Sequence, residues 1–217
     1  MRGWFLSLEG VEGAGKTTQA RLLAAALAAR GLDVLLTREP GGTELGAGIR
    51  ELILAHRHHP VPHAELFLIL ADRAQHVAEV IRPALAAGRV VVADRYADAT
   101  TAYQAAGRGI DPELVERAVA AATGGLKPDL TFLLDLPVAQ ARERVGSRGA
   151  RDRLEAEAGV FHERVRAGYR REFEREPGRI KIVDAQADPE TIHRSILSQV
   201  LAALAAGGVE LPKQPPE

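Results

Sequence analysis

Gly10-Val11-Glu12-Gly13-Ala14-Gly15-Lys16-Thr17 lies between an apolar run, Trp4 to Leu8, and a helix-forming stretch that begins near residue 17. The spacing of its glycines, lysine and threonine fits a phosphate-binding loop between a strand and a helix. Residues without a Cβ let successive backbone N–H groups converge on phosphate oxygens. The N-terminal end of the following helix adds a positive partial charge. In such a loop Lys16 reaches the terminal phosphates, and the Thr17 hydroxyl is a ligand for Mg²⁺. Gly10, Glu12, Gly13, Ala14, Gly15, Lys16, Thr17 and Thr18 therefore form the expected triphosphate site.

Outward from the loop, short apolar runs alternate with longer helical patterns. Strands are expected at Trp4 to Leu8, Asp33 to Thr37, Arg89 to Ala93, Leu130 to Asp135 and Ile180 to Val183. Their continuous apolar character suits a parallel sheet buried on both faces. Helices rich in Ala, Leu, Glu and Arg are expected near 17–30, 44–55, 64–87, 111–122, 137–147, 156–176 and 189–206. This alternation implies right-handed crossovers and an α/β fold, a five-stranded parallel sheet with helices on both faces. With the loop above, a P-loop NTPase fold is expected, with ligands at the carboxyl ends of the strands. Residues 1–206 read as one domain, and 207–217, with Pro212, Pro215 and Pro216, as a flexible tail.

Composition excludes several classes. A net charge of -1 gives no general pull toward nucleic acid or an anionic membrane. The absence of cysteine removes disulfides, thiolate metal sites and a cysteine nucleophile. No apolar run approaches the ~20 residues needed to cross a bilayer. Met1-Arg2-Gly3 leads straight into the first strand, so a cytoplasmic protein without a signal peptide is expected. His56-Arg57-His58-His59 has no carboxylate beside it and reads as a solvated loop rather than a metal site. Asp135, ahead of Pro137, is either a second acid near the metal or a helix-entry residue. A GTP-driven switch is the main rival from another class. Guanine recognition there usually uses Asn-Lys-x-Asp after a strand; this chain has no Asn, and Lys127-Pro128-Asp129 precedes a strand. ATP is the expected nucleotide.

Phosphoryl transfer to an acceptor requires a second anion site facing the first. Arg38-Glu39-Pro40-Gly41-Gly42-Thr43 and Asp94-Arg95-Tyr96 follow strands at the same sheet edge as the loop, and Leu70-Ala71-Asp72-Arg73 lies on a helix between them. Gly146 to Glu155, small, polar and rich in arginine, reads as a lid over ATP, with Arg148, Arg151 and Arg153 able to reach the transferring group.

Together these segments resemble the thymidylate kinases, from about residue 3 to about residue 205. The likeness rests on Glu9 to Thr18, Arg38 to Thr43, Ala71 to His76, Asp94 to Gln104 with Gly107-Arg108-Gly109, Lys127 to Leu130, Arg148 to Glu155, and Asp184-Ala185. It implies a nucleoside monophosphate kinase-like P-loop fold and a homodimer that phosphorylates thymidine monophosphate (dTMP) with ATP and Mg²⁺ by direct in-line transfer. It also implies roles for individual residues. Glu12 contacts the deoxyribose 3'-hydroxyl, Arg95 holds the acceptor phosphate, and Asp94 orders Mg²⁺-bound water. Arg73 donates to thymine O4, Thr100 and Gln104 face the base edge, and Tyr103 closes the sugar pocket. Arg38 and Arg50 frame the acceptor site, Arg144 stacks on adenine, and Glu39-Pro40 is a cis peptide. Arg148 matches the catalytic lid arginine of the bacterial subtype, and Arg153 belongs to the Asp-Arg-x-Glu signature beside it. The chain departs from the family at Ile69, where relatives usually have a Phe stacked on thymine, and at Ala99, where Ser is common. Another nucleoside monophosphate kinase, a deoxynucleoside kinase, or a non-catalytic P-loop module are the alternatives.

Overall fold

The computed structural model describes residues 2–146 and 152–209. Five parallel strands form one sheet in the order β2-β3-β1-β4-β5. They are β1 (Trp4–Glu9), β2 (Val34–Arg38), β3 (Val90–Asp94), β4 (Leu130–Asp135) and β5 (Ile180–Asp184). All five expected strands are present. Four run one residue further than their apolar character suggests, ending on Glu9, Arg38, Asp94 and Asp184. The ladder joins backbone groups, so a charged side chain can close a strand while its head reaches beyond the core. Register sets Leu8 and Arg38 on either side of Asp94, and so collects the charged ends at one sheet edge.

The helices are α1 (Lys16–Ala28), α2 (Glu44–Leu54), α3 (Pro62–His76), α4 (Arg82–Ala86), α5 (Ala97–Thr100), α6 (Pro112–Thr123), α7 (Val138–Gly146), α8 (Gly159–Arg175) and α9 (Pro189–Ala206). Both sheet faces are covered, as the continuous apolar strands imply. Leu6 and Leu8 pack with Leu23 and Leu27 of α1 and Ile196 and Val200 of α9. Phe5, Val91 and Ala93 face the opposite way, onto Val77, Ile81 and Leu85. The helix expected over 64–87 is α3 and α4 joined by a wider π-helical turn, Val77–Ile81. Pro83, just beyond that turn, has no N–H and crowds the carbonyl one turn back, and widening relieves both.

One helix escapes a reading of the sequence. α5 continues as a π-helical segment, Thr101–Gly107, in which Ala102, Tyr103, Gln104 and Ala105 are all buried. A helix enclosed on nearly all sides has no polar stripe for periodicity to reveal. α8 lies directly on it: a Cβ at Gly168 would stand 2.8 Å from Ala106 Cβ and 3.0 Å from Ala102 Cα. This close approach sets the Tyr103 and Tyr169 rings edge to face, with centroids 6.3 Å apart. Among the described residues no helix is long and apolar enough to cross a membrane.

Candidate active site

Between β1 and α1 the chain turns through Gly10, Gly13 and Gly15 at φ of 141°, 81° and 95°. A Cβ at Gly10 would lie 2.6 Å from the Leu134 carbonyl oxygen, and one at Gly13 2.5 Å from that of Ala141. Glycine is therefore required at both positions for sterics as well as conformation. Lys16 is buried and its Nζ donates to Val11 O at 2.8 Å, folding back over the loop. Burial and the neighbouring Arg95 charge pull its ammonium down to about 8, against Glu12 and Asp94. Thr17 Oγ1 donates to Asp94 Oδ2, so the hydroxyl and the carboxylate expected to share a metal are adjacent.

Arg95 follows β3 with φ 74°, the left-handed region that an L side chain enters at a cost of ~1–2 kcal/mol. Two backbone bonds hold it there. Its own N–H donates to Leu8 O at 3.0 Å, and the next N–H, of Tyr96, donates to Glu9 Oε1 at 2.6 Å. The guanidinium then meets the Glu12 carboxylate, donates to the Tyr103 hydroxyl at 3.1 Å and the Tyr169 hydroxyl at 3.2 Å, and lies 4.9 Å from the Tyr103 ring centre. A charge-assisted bond contributes ~1.5–3 kcal/mol, enough for the Glu12 contact alone to offset the backbone strain. Burial pushes the Glu12 carboxyl up, but Arg95 and then Lys16 outweigh it and hold it at about 2. Glu9 behaves oppositely: burial and the charge of Asp98 raise it to about 8, while Tyr169 donates to its Oε2 at 3.0 Å.

Arg73, on α3, is buried, and each of its three nitrogens has one partner, which leaves two N–H groups unused by these bonds. Its Nε donates to Glu39 Oε2 at 2.7 Å, Nη1 to Thr100 Oγ1 at 2.6 Å and Nη2 to Tyr96 O at 3.0 Å. Glu39 also meets His76 Nδ1 at 2.8 Å, and the Glu39–Pro40 peptide is cis, as the resemblance implies. Asp72 Oδ1 accepts from Gly41 N at 2.9 Å, and Arg50 Nη1 donates to Pro40 O at 2.9 Å, so both brace the loop after β2. Exposed Arg38 lies at the end of that strand. Glu65 gathers Gln104, Arg108 and Arg153 on a fully buried carboxylate.

These walls enclose one cleft of about 740 Å³. Gly13, Gly15, Lys16, Thr17 and Thr18 of the cradle line it together with Arg38, Arg50, Ile69, Arg73, Arg95, Ala99, Thr100, Tyr103 and Gln104. Ile69 therefore lines the cleft, at the position where the resemblance leads one to expect Phe. Phe67, the nearest aromatic in sequence, is 60% exposed and lines no part of it. Arg153 takes a different place from the one expected. Its guanidinium is held by Glu65 and by Ile53 O at 2.7 Å, and its N–H donates to Leu54 O at 3.1 Å, so it ties the chain after the expected lid to α2 and α3. Arg144 is half-buried on α7. Arg148 and Arg151 lie outside the described residues. Asp135 is gripped by Arg166 through both oxygens, at 2.7 and 2.9 Å, and by Arg170 at 3.1 Å, which makes it a clasp between β4 and α8.

Glu9, Glu39, Glu65, Asp72 and Tyr169 complete the site without being singled out by the sequence as functional residues. Glu9 carries a weak signal, an acid ending an apolar strand just before Gly10. Glu65 carries none, because its partners Gln104, Arg108 and Arg153 lie 39, 43 and 88 residues away.

A parallel sheet with a phosphate loop after β1 and a second cationic wall across one cleft defines a P-loop phosphotransferase of the nucleoside monophosphate kinase kind. The family model for thymidylate kinase matches residues 8–196. The thymidylate kinase of Desulfovibrio desulfuricans is 51% identical over 94% of this chain and 98% of its own length. That of Pseudomonas putida is 49% identical over 90% of this chain and 94% of its own. Among solved structures, the Ehrlichia chaffeensis thymidylate kinase superposes with a TM-score of 0.75 at 29% identity, covering 92% of this chain and 99% of that one. The chain belongs to the thymidylate kinase family.

Proposed function

We propose that this enzyme transfers the γ-phosphoryl group of ATP directly to the 5'-phosphate of dTMP, giving the diphosphate for dTTP synthesis. The observation that supports this most is the continuity of the cleft from Lys16 and Thr17 to Arg95 and Arg73. One enclosed space of that extent holds donor and acceptor together, the condition for in-line transfer without a covalent enzyme intermediate. The acceptor phosphate is already ionised at neutral pH, so no strong general base is needed. Lys16 and Arg95 carry charge to the two phosphate groups from opposite sides. Glu12, held ionised by Arg95, accepts from the sugar 3'-hydroxyl; Tyr103 closes the sugar pocket; Arg38 and Arg50 frame the acceptor.

The residues present suit Mg²⁺. A hydroxyl and a carboxylate, Thr17 Oγ1 and Asp94 Oδ2, are in contact at the mouth of the cradle, and oxygen ligands of this kind are what that ion takes. When bound, Mg²⁺ neutralises charge on the transferring phosphate. On the base side, Arg73 and Thr100 donate, Gln104 accepts, and Ile69 packs apolarly on the thymine face. Arg144 stacks on adenine. The enzyme works in the cytoplasm as a homodimer packed through helices, for which Val61 and Phe67, 66% and 60% exposed at α3, supply apolar surface.

Arg148 supplies catalytic charge from the lid, whose base Arg153 anchors through Glu65. Arg148→Ala is expected to lower turnover about 10²-fold or more while changing ATP affinity only a few-fold. Steady-state kinetics with a parallel ATP-binding titration checks this. Equal losses in turnover and affinity would remove Arg148 from the reaction.

A further inference from the structure

Gln104 and Glu65 form a buried pair whose chemistry goes beyond holding the helices together. Gln104 is 1% exposed and Glu65 is 0% exposed. Glu65 Oε1 accepts from Gln104 Nε2 at 2.9 Å and from Arg108 Nε at 3.0 Å. Its Oε2 accepts from Arg108 Nη2 at 3.0 Å and from Arg153 Nη2 at 2.5 Å. Four donors on two oxygens saturate the carboxylate. Burial works against its charge, but Arg108 and Arg153 outweigh burial and hold it below the usual carboxylate range. An ionised carboxylate only accepts, so it selects the amide nitrogen of Gln104 and turns the amide oxygen away. That oxygen, Oε1, is buried and has no hydrogen-bond partner among the described residues, and Gln104 lines the cleft beside Arg73 and Thr100.

We propose that Glu65 is a specificity-determining positioning residue, which fixes the Gln104 amide with its oxygen toward the base and so selects a pyrimidine carrying an N3–H. The inference rests on the reading that Gln104 meets the base of the acceptor. Thymine offers N3–H between two carbonyl oxygens, which suits an acceptor set among the donors of Arg73 and Thr100. Cytosine offers a bare N3 and an amino group, which places acceptor against acceptor. A site that fixes one pattern of donors and acceptors rejects the other strongly, because a mismatch leaves buried groups unpaired.

Glu65→Gln separates positioning from mere support. A neutral amide can donate to Gln104 as well as accept from it, so Gln104 is free to turn its nitrogen to the base. The ratio of kcat/KM for dTMP over dCMP is expected to fall at least tenfold in E65Q. Glu65→Asp, still acceptor-only, is expected to keep most of that ratio. Parallel losses on both substrates in E65Q, with the ratio unchanged, would overturn the proposal. The N3-methyl analogue of dTMP tests the reading underneath. If the wild-type enzyme uses it as well as dTMP, Gln104 does not read N3. If the wild type rejects it and the E65Q ratio is unchanged, the Glu65 proposal fails alone. Should E65Q not fold, a crystal structure of the wild-type enzyme with dTMP decides. The cleft-facing atom of Gln104 within hydrogen-bond distance of N3 is the expected result. The same atom on a base carbonyl would have to be the nitrogen, which overturns it.

Discussion

Arg95→Ala is expected to lower kcat/KM for dTMP by about 10³-fold, equivalent to ~4 kcal/mol of lost transition-state stabilisation. The guanidinium touches Glu12, Tyr103 and Tyr169 together. Its backbone is held in the left-handed region by Leu8 O and Glu9, so the fork is delivered in one orientation. Removing it would withdraw the charge proposed to face the acceptor phosphate and leave the Glu12 carboxylate without its main partner. Glu12 would then repel the incoming phosphate. Arg95→Lys is expected to recover less than about tenfold, because a single ammonium cannot replace a planar fork with several directed donors. A thermal melt run alongside the kinetics separates misfolding from lost chemistry. A folded Arg95→Ala variant within tenfold of wild type would remove Arg95 from the acceptor site.

Glu39→Ala is expected to cost about 3–5 kcal/mol of stability. Glu39 and Arg73 are each 2% exposed at their side chains and His76 is 0% exposed. The substitution leaves a buried guanidinium without its counter-charge, and burial alone disfavours that charge strongly. At ~2–4 °C per kcal/mol for a chain of this size, the melting temperature should drop by about 6–20 °C. Glu39→Gln keeps the shape and one acceptor, so its loss should be smaller. Arg73 is also a wall of the cleft, and the Ala variant should lose dTMP affinity beyond what the unfolded fraction explains. A melting temperature within about 2 °C of wild type would show that Arg73 and His76 do not depend on Glu39.

The parts of this site legible in the sequence are those that depend on neighbours along the chain. Gly10 to Thr17 declares itself because cradle, lysine and hydroxyl must be contiguous to converge on phosphate. Asp94 and Arg95 stand out because a charged pair directly after an apolar strand has few structural reasons to be there. Pairings across the fold leave no such mark. Glu65 on α3 looks like any solvated helix glutamate until Gln104, Arg108 and Arg153 are brought to it from distant parts of the chain. Arg153 is a case of the same kind: its place in a motif suggests a catalytic arginine, and only the fold shows its contacts with Glu65 and Ile53 O. The helix at 97–107 was hidden for a related reason, since burial on all sides removes the polar stripe that marks a helix. Ile69 lines the cleft, as a residue expected to meet the base should. The cleft wall there is aliphatic, and Phe67, on the outside of α3, does not replace the missing ring.

The proposed function of the cleft is to pass phosphate from ATP to dTMP. The direct measurement is transfer from ATP to dTMP, dUMP, dCMP, dGMP and dAMP by the purified enzyme under one set of conditions. The geometry of Arg73, Thr100 and Gln104 predicts dTMP first, dUMP next because it shares the N3–H and both carbonyls, and little transfer to the rest. Preference for a purine or for dCMP would contradict the base reading. Transfer to none of the five would contradict the kinase itself.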